Sequence, residues 1–242
     1  MNAKARLFHE VLEQLKQRPY FKSSDVAPLA GKLGLKISPG TLPVYLSEAT
    51  ASGLIHDAGR GWYSRLSERV PLDAKPVAKL IRAVEKAFPL LEFTIWSTEQ
   101  IVGYGHHLLG RFTSFVHTER DSMATVGQRL RDEGWDVVVN PRGSIAKNFT
   151  TSAAGTVVVR PRTTTQPHDA RQVTIEGLLV ELFIESRTLN LMDAGEYWRL
   201  FENLAGTRRI HMAALLDYAR ERRPAGLDLA ELIKADFLKT PL

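Results

Sequence analysis

The sequence predicts a two-domain protein of mixed helix and strand, in the α+β or α/β class. Three observations predict this. Helical patterns and a hairpin come first, alternating strand-like and helix-like segments follow, and a charged stretch with two prolines, Ser67 to Pro76, separates the two patterns. We therefore expect a first domain over residues 1–70, a linker over residues 71–76 and a second domain, with a helical C-terminal part, over residues 77–242.

The first domain contains three predicted helices. Apolar residues at helical spacing predict a helix over residues 3–17. Ser24 or Asp25 can cap a short second helix, because serine and aspartate oxygens accept hydrogen bonds from free backbone amides at a helix start. Ser38-Pro39 opens a third helix, since proline suits the first turn, and Gly53 ends it.

A hairpin with a basic tip follows the third helix. Its tip is Gly59-Arg60-Gly61, which leads into Trp62-Tyr63. The glycines permit a positive φ at a tight turn, and the arginine between them can reach a phosphate or a narrow minor groove. Helix, hairpin and basic tip in this order are typical of a winged helix-turn-helix, so the first domain is predicted to bind double-stranded DNA.

The candidate DNA-contacting residues lie at the helix starts and on the hairpin. Small hydroxyl side chains at the start of the third helix suit phosphate or base-edge contacts, and a lysine with backbone amides at the start of the second helix can clamp a phosphate. The third helix lacks arginine, asparagine and glutamine, the strongest base readers, and its hydroxyls could simply serve as caps. The candidates are Lys22, Ser23, Ser38, Thr41, Tyr45, Arg60 and Trp62, of which Trp62 could instead pack to fix the wing.

Composition limits the class of protein. Residues 1–70 hold 10 Lys and Arg against 6 Asp and Glu, whereas residues 71–242 hold 22 against 21. This asymmetry favours an anionic partner for the first domain, although chance could scatter so few charges. The chain has no cysteine, which excludes disulfides and thiolate metal sites. No apolar run is long enough to span a bilayer and no signal peptide is recognised, so we expect a cytoplasmic protein without a membrane partner.

The second domain is predicted to hold a sheet covered by helices. Alternation predicts a strand over Leu91–Trp96, and Ser97 with Gln100 has the capping-box spacing of a helix start. Strands and helices alternating in this way imply a mixed or parallel sheet. Further strands are predicted over residues 112–117, 135–139 and 156–160, and helices over residues 77–87, 121–130, 174–183, 197–204, 210–223 and 227–237. The helix after Thr174 has a dense apolar face, which predicts a core position for Ile175, Leu179, Leu182 and Phe183.

No catalytic motif accompanies this pattern. His106-His107 are adjacent and point to different sides of a helix, so they cannot easily share a metal. Asp136 lacks the lysine of a restriction-type nuclease, and Gly143-Ser144 lacks the aspartates of a nucleotidyltransferase. His117 follows a strand, where α/β enzymes do place catalytic groups, but no nucleophile is tied to it by spacing. We expect no enzymatic activity, no cofactor and no metal.

Arginines are frequent in the second domain, and two interpretations remain open. They could form a second basic surface for nucleic acid or an acidic partner, or they could pair with glutamates of the same domain. The arginines are Arg160, Arg162, Arg171, Arg208, Arg209, Arg220, Arg222 and Arg223, and the glutamates are Glu176, Glu181, Glu185 and Glu221. Among them Arg220, Arg222 and Arg223 are the candidate partner-binding residues.

Three short stretches resemble the AbiEi-like antitoxins of bacterial abortive-infection systems, which are type IV toxin–antitoxin systems. They are residues 52–63 at the hairpin, residues 173–183 (VTIEGLLVELF) and residues 215–223 (LLDYARERR). This chain has Gly177 where such helices commonly carry a lysine. The resemblance implies a winged helix that represses its own operon and a C-terminal domain that neutralises a nucleotidyltransferase-like toxin encoded by the adjacent gene.

The sequence thus predicts a DNA-binding transcriptional regulator that acts as an antitoxin on its own promoter region. The alternative is a nuclease or nucleotidyltransferase-like enzyme with a DNA-targeting winged helix, and a third possibility is a protein-interaction module with a vestigial winged helix. Metal dependence separates the first two, because a regulator leaves its DNA intact and binds it in the presence of a chelator.

Overall fold

The computed structural model of the chain describes residues 3–15, 18–104 and 111–223. These residues form helices and two β-sheets, so the predicted mixture of helix and strand is confirmed. The described residues divide into two compact units: those within 3–70 and 202–217 form the first, and those within 71–201 and 218–223 form the second. Residues 202–217, predicted to belong to the second domain, are therefore assigned to the first unit. His106-His107 and the helix predicted over residues 227–237 lie outside the described residues.

The helices of the first unit begin with a segment of changing helical type. This segment consists of α1 (Ala3–Arg6), a π-helical turn (Leu7–Val11) and α2 (Leu12–Gln14). Two further helices are α3 (Ser23–Lys32) and α4 (Thr41–Ala51). Their inward faces form one core, whose fully buried members include Val11, Leu15, Val26, Leu46 and Ile55.

Polar caps set the starts of α3 and α4. α3 begins at Ser23, ahead of the predicted Ser24 or Asp25, and Asp25 in its first turn accepts a hydrogen bond from the backbone N–H of Lys22 at 2.8 Å. Ser38 Oγ accepts from the backbone N–H of Thr41 at 3.2 Å, and α4 begins at Thr41 rather than at the predicted Ser38-Pro39. Gly53 follows α4 with φ +73°, a left-handed conformation that ends the helix.

A three-stranded antiparallel sheet completes the N-terminal part of the first unit. Its strands are β1 (Tyr20–Lys22), β2 (His56–Asp57) and β3 (Trp62–Ser64), in the order β1-β3-β2. The sequence predicts the β2–β3 hairpin but misses β1, because three residues are too few to show a strand period.

Residues 208–213 lie against this sheet. The Tyr20 hydroxyl donates to the carbonyl of Arg208 at 2.8 Å and accepts from the backbone N–H of Ile210 at 2.9 Å. The N–H of Ala213 donates to the carbonyl of Ala58 at 3.2 Å. A Cβ added at Gly59 would lie 2.3 Å from His211 Cε1, so this glycine permits the close approach.

The second unit is built on a six-stranded sheet with the order β6-β7-β5-β4-β9-β8. Strands β5, β6 and β7 are parallel to one another, whereas β4 runs antiparallel to β5 and parallel to β9, and β8 runs antiparallel to β9. The strands are β4 (Phe93–Ser97), β5 (Thr113–Thr118), β6 (Val137–Val139), β7 (Thr156–Pro161), β8 (His168–Asp169) and β9 (Gln172–Val173). The predicted mixed sheet is thus present.

Six α-helices of the described residues belong wholly or partly to the second unit. They are α5 (Lys75–Ala87), α6 (Met123–Asp132), α7 (Gly143–Lys147), α8 (Ile175–Leu189), α9 (Ala194–Thr207) and α10 (Met212–Arg222). The division between the units falls within α9 and α10. The N–H of Ser97 donates to Gln100 Oε1 at 2.9 Å and opens a 3₁₀-helix over Thr98–Tyr104, where the capping-box spacing predicts a helix. No helix in the described ranges combines the length and apolar character that crossing a membrane requires.

Helix α8 is the most buried helix of the second unit. The four residues predicted to lie in its core, Ile175, Leu179, Leu182 and Phe183, are all buried. A Cβ added at Gly177 would lie 2.6 Å from Val173 Cγ1 and 2.9 Å from the carbonyl oxygen of Pro167. The lysine common in the resembling helices therefore has no room at this position.

We expect Gly177→Ala to lower the free energy of unfolding by about 1–3 kcal/mol, because overpacking displaces neighbouring atoms that include backbone. Urea denaturation followed by circular dichroism measures it. The control is Gly31→Ala on α3, where no atom lies within 4 Å of the added Cβ and alanine should gain up to about 1 kcal/mol. Equal stability of the wild type and Gly177→Ala would contradict the close packing of α8.

Candidate nucleic-acid interface

The tip of the β2–β3 hairpin presents Arg60 to solvent. Gly59 and Gly61 on either side have φ +99° and +71°, which only glycine adopts without strain. The N–H of Trp62 donates to the carbonyl of Gly59 at 2.7 Å and closes the turn. Arg60 is exposed, and no hydrogen bond or ion pair joins it to another of the described residues. The turn thus holds a free guanidinium at a fixed place.

The start of α3 lies next to this tip. The N–H of Ser23 donates to the carbonyl of Gly61 at 2.9 Å, which ties the helix start to the hairpin. The exposed ammonium of Lys22 lies 4.8 Å from the centroid of the Trp62 ring, a cation–π contact. The amides of Lys22 and Ser23 are both engaged within the protein, so a phosphate contact here would use the Lys22 ammonium and the Ser23 hydroxyl.

Two of the predicted contact residues pack against neighbouring side chains. Trp62 is 6% exposed and lies beneath Lys22, so it positions the hairpin and the lysine rather than reaching for DNA. Tyr45 is half-buried, with its ring centroid 6.3 Å from that of Phe8. For Trp62 the structure agrees with the packing alternative.

The polar side chains at the start of α4 form hydrogen bonds with each other. Ser38 Oγ and Thr41 Oγ1 lie 2.6 Å apart and hydrogen-bond to each other. Further along α4, Glu48 forms an ion pair with Lys4. Ser38 and Ser23 line one groove of about 480 Å³ between α3 and α4, so the structure brings these two hydroxyls together with the face of β3.

Two arginines that the DNA-contact prediction omits meet beside the hairpin. Arg69 and Arg209 are opposite each other in a parallel β-bridge, which directs both side chains to the same side. Burial and the charge of Arg69 lower the pKa of Arg209, and Arg209 Nε is buried without a hydrogen-bond partner among the described residues. The adjacent Arg208 differs, because it forms an ion pair with Glu68. Sequence spacing gives no signal for a pair separated by so many residues.

The positive charge of Arg209 also affects the pKa of a histidine on β2. Burial, and then the positive charge of Arg209, lower the pKa of His56 below its ordinary value of 6.5. A cation next to an imidazole disfavours its protonation. Asp57 is the acid that acts on Arg209, raising its pKa. The region beside the hairpin is therefore rich in positive charge, held by Arg69, Arg209 and Arg60.

In the second unit the arginine prediction is revised. Arg160 donates to both carboxylate oxygens of Glu185, at 2.8 and 2.6 Å, and Arg222 lies 2.9 and 3.0 Å from those of Glu181. For these arginines the pairing interpretation is correct, and Arg222 is not a free surface cation. Its two predicted companions, Arg220 and Arg223, are exposed.

The histidine after the predicted strand is structural. His117 on β5 is 1% exposed, and burial lowers its pKa to about 3. Trp96 Nε1 donates to His117 Nε2 at 3.1 Å. A neutral, fully engaged imidazole cannot serve as a base with a pKa near neutrality. Within the described ranges no group of acidic or histidine side chains is arranged to hold a metal ion.

A family comparison matches residues 41–239 of the chain. The chain belongs to the DUF6577 family, a family of unknown function. No curated protein matched the sequence. The DUF6577 match begins at the first residue of α4 and includes the hairpin with Arg60, the Arg69–Arg209 pair and the whole six-stranded sheet.

We expect Arg209→Ala to raise the pKa of His56 towards 6.5, because it removes a nearby positive charge and opens the site to water. An NMR titration of the His56 ring protons measures this. Arg208→Ala is the matched control, since Arg208 already pairs with Glu68, and it should leave the His56 titration unchanged. If both variants titrate like the wild type, the Arg209 guanidinium does not act on His56.

Proposed function

We propose that the chain is a DNA-binding transcriptional regulator whose first unit is a winged helix-turn-helix. The observation that carries this proposal is the exposed Arg60 at a hairpin tip fixed by two left-handed glycines, directly beside the start of α3. In this interpretation α3 and α4 are the helix-turn-helix and the β2–β3 hairpin is the wing. The hydrogen bond from Ser23 to Gly61 supports it, because it sets the wing and the helix pair in one rigid arrangement.

Phosphate contacts supply most of the affinity in this proposal. Lys22, Arg60, Arg69 and Arg209 provide the cations, and α4 offers few side chains that read bases. Sequence preference then comes from DNA shape, which an arginine in a narrow minor groove can read, together with contacts from Ser38 and Thr41. The proposed target is the promoter of the chain's own operon.

For the second unit we propose a non-catalytic role in neutralising a toxin, on the strength of the resemblance to AbiEi-like antitoxins. The proposed partner is a nucleotidyltransferase-like toxin from the adjacent gene, bound through a surface that includes Arg220 and Arg223. Arg222 leaves this proposal, because its guanidinium is engaged with Glu181.

One observation favours the alternative of a nuclease or nucleotidyltransferase-like enzyme. Buried ionisable groups, Arg160 and Glu185 among them, lie near the carboxyl ends of parallel strands, where α/β enzymes place their sites. Yet Arg160 donates to both oxygens of Glu185, and Glu181 accepts hydrogen bonds from Arg222 and Tyr218, so neither carboxylate is free to bind a metal. Metal-dependent cleavage of DNA, or nucleotide transfer, by the purified chain would establish the alternative.

We expect Arg60→Ala to weaken binding of the chain to its own promoter DNA by about 1–2 kcal/mol, the size of a charged hydrogen bond. Fluorescence anisotropy at several salt concentrations measures this. The wild-type affinity should fall with salt, because phosphate contacts release counterions, and Arg60→Ala should reduce the slope by about one. Arg129→Ala is the control, since Arg129 is an exposed arginine of the second unit that pairs with Glu133. Equal affinity of Arg60→Ala and wild type would exclude the wing.

The two proposed roles should separate in one full-length variant. Arg60→Ala should lose repression of a reporter driven by the chain's own promoter, yet still rescue growth when it is expressed with the adjacent toxin. Arg220→Ala combined with Arg223→Ala should show the opposite pattern, because both residues lie in the second unit. Loss of both functions in every variant would refute this division.

A further inference from the structure

A cavity of about 350 Å³ opens at the carboxyl ends of two parallel strands in the second unit. Asn140, the residue after β6, and Arg160 and Pro161, the last two residues of β7, form one wall. Arg142 and Glu185 are further lining residues, from the start of α7 and from α8. The cavity lies where parallel α/β sheets bind ligands, outside the carboxyl ends of the strands.

This wall has more unpaired hydrogen-bond donors than unpaired acceptors. The acceptors are occupied: Arg160 engages both oxygens of Glu185 and the carbonyl of Pro141, and Thr188 engages the carbonyl of Ile184. Three donor groups have no partner among the described residues, namely the Arg142 guanidinium, Arg222 Nη1 and the side-chain amide of Asn140. A ligand that fits must therefore bring acceptors.

The charges point the same way. Arg160 is neutralised by Glu185, and Arg222 by Glu181, which leaves the charge of Arg142 in excess. Burying an ion pair removes two charges from water, so such pairs add little net stability. We therefore attribute the two ion pairs to shaping the wall of the cavity. Asn140 has φ +44°, a left-handed conformation that is uncommon outside glycine and aims its side chain at the site.

We propose that this cavity binds a small phosphate monoester, with Arg142, Arg222 Nη1 and the Asn140 amide as donors to the phosphate. Arginine donors match phosphate oxygens in geometry and charge. The volume exceeds what inorganic phosphate fills and falls in the range of small-molecule pockets, so an organic group occupies the rest. This site is independent of the proposed DNA contacts in the first unit.

Isothermal titration calorimetry on the full chain tests the proposal, with adenosine 5′-monophosphate and inorganic phosphate as the two probes. We expect one site that binds the nucleotide more tightly than inorganic phosphate. Arg142→Ala should weaken the nucleotide about tenfold or more, as expected for one charged hydrogen bond. Arg142 is exposed, so this variant should fold normally.

Two further variants make the result decisive. Asn140→Gly keeps the left-handed backbone while removing the amide, and it should weaken the nucleotide as well. Arg129→Ala, an exposed arginine paired with Glu133 on α6, should bind like the wild type. Absence of nucleotide binding to the wild type, or equal affinities of Arg142→Ala and Arg129→Ala, would overturn the proposal. Binding of inorganic phosphate alone would overturn the assignment of an organic ester.

Discussion

Two carboxylates one helical turn apart organise the second unit. Glu181 is 0% and Glu185 is 2% exposed on α8, and an unpaired charge at such burial would be costly. Each is matched by one arginine: Arg160 from β7 donates to both oxygens of Glu185, and Arg222 from α10 forms an ion pair with Glu181 and donates to its Oε2. Tyr218 adds a hydroxyl that donates to Glu181, and burial with this carboxylate raises the pKa of the tyrosine. The end of β7 and the last turn of α10 must therefore lie where these guanidiniums reach α8.

The first unit depends on a polar contact of another kind. The Tyr20 hydroxyl is bonded on both sides by residues 208–210, and the adjacent backbone pairs Arg209 with Arg69. A buried phenol with both a donor and an acceptor partner avoids the cost of an unsatisfied polar group. The same contact gathers arginines whose charges repel one another. A bound anion would offset that repulsion, and in this way the Arg69–Arg209 pair supports the proposal of a phosphate contact at this surface.

The sequence predicts local features well and long-range pairs poorly. The buried face of α8 and the Gly59–Gly61 turn depend on neighbours in sequence, and each is found where predicted. Strand β1 is too short to show a period. The sequence does not distinguish Arg222 from its neighbours Arg220 and Arg223, because only the fold places Arg222 beside Glu181. Two of the four cations of the proposed DNA interface, Arg69 and Arg209, are paired only by the fold and have no local sequence signal.

The discontinuity of the first unit also decides how its function can be tested. A fragment ending at residue 76 contains the three predicted helices and the hairpin, yet it lacks residues 202–217, which belong to the same unit. Without residues 208–213, the Tyr20 hydroxyl loses its hydrogen bonds to Arg208 and Ile210, and Gly59 loses the side chain against which it packs. If such a fragment failed to bind DNA, the cause could be a damaged hairpin rather than the absence of the second unit. Point substitutions of exposed arginines in the whole chain avoid this ambiguity, because they remove charge and leave the packing in place.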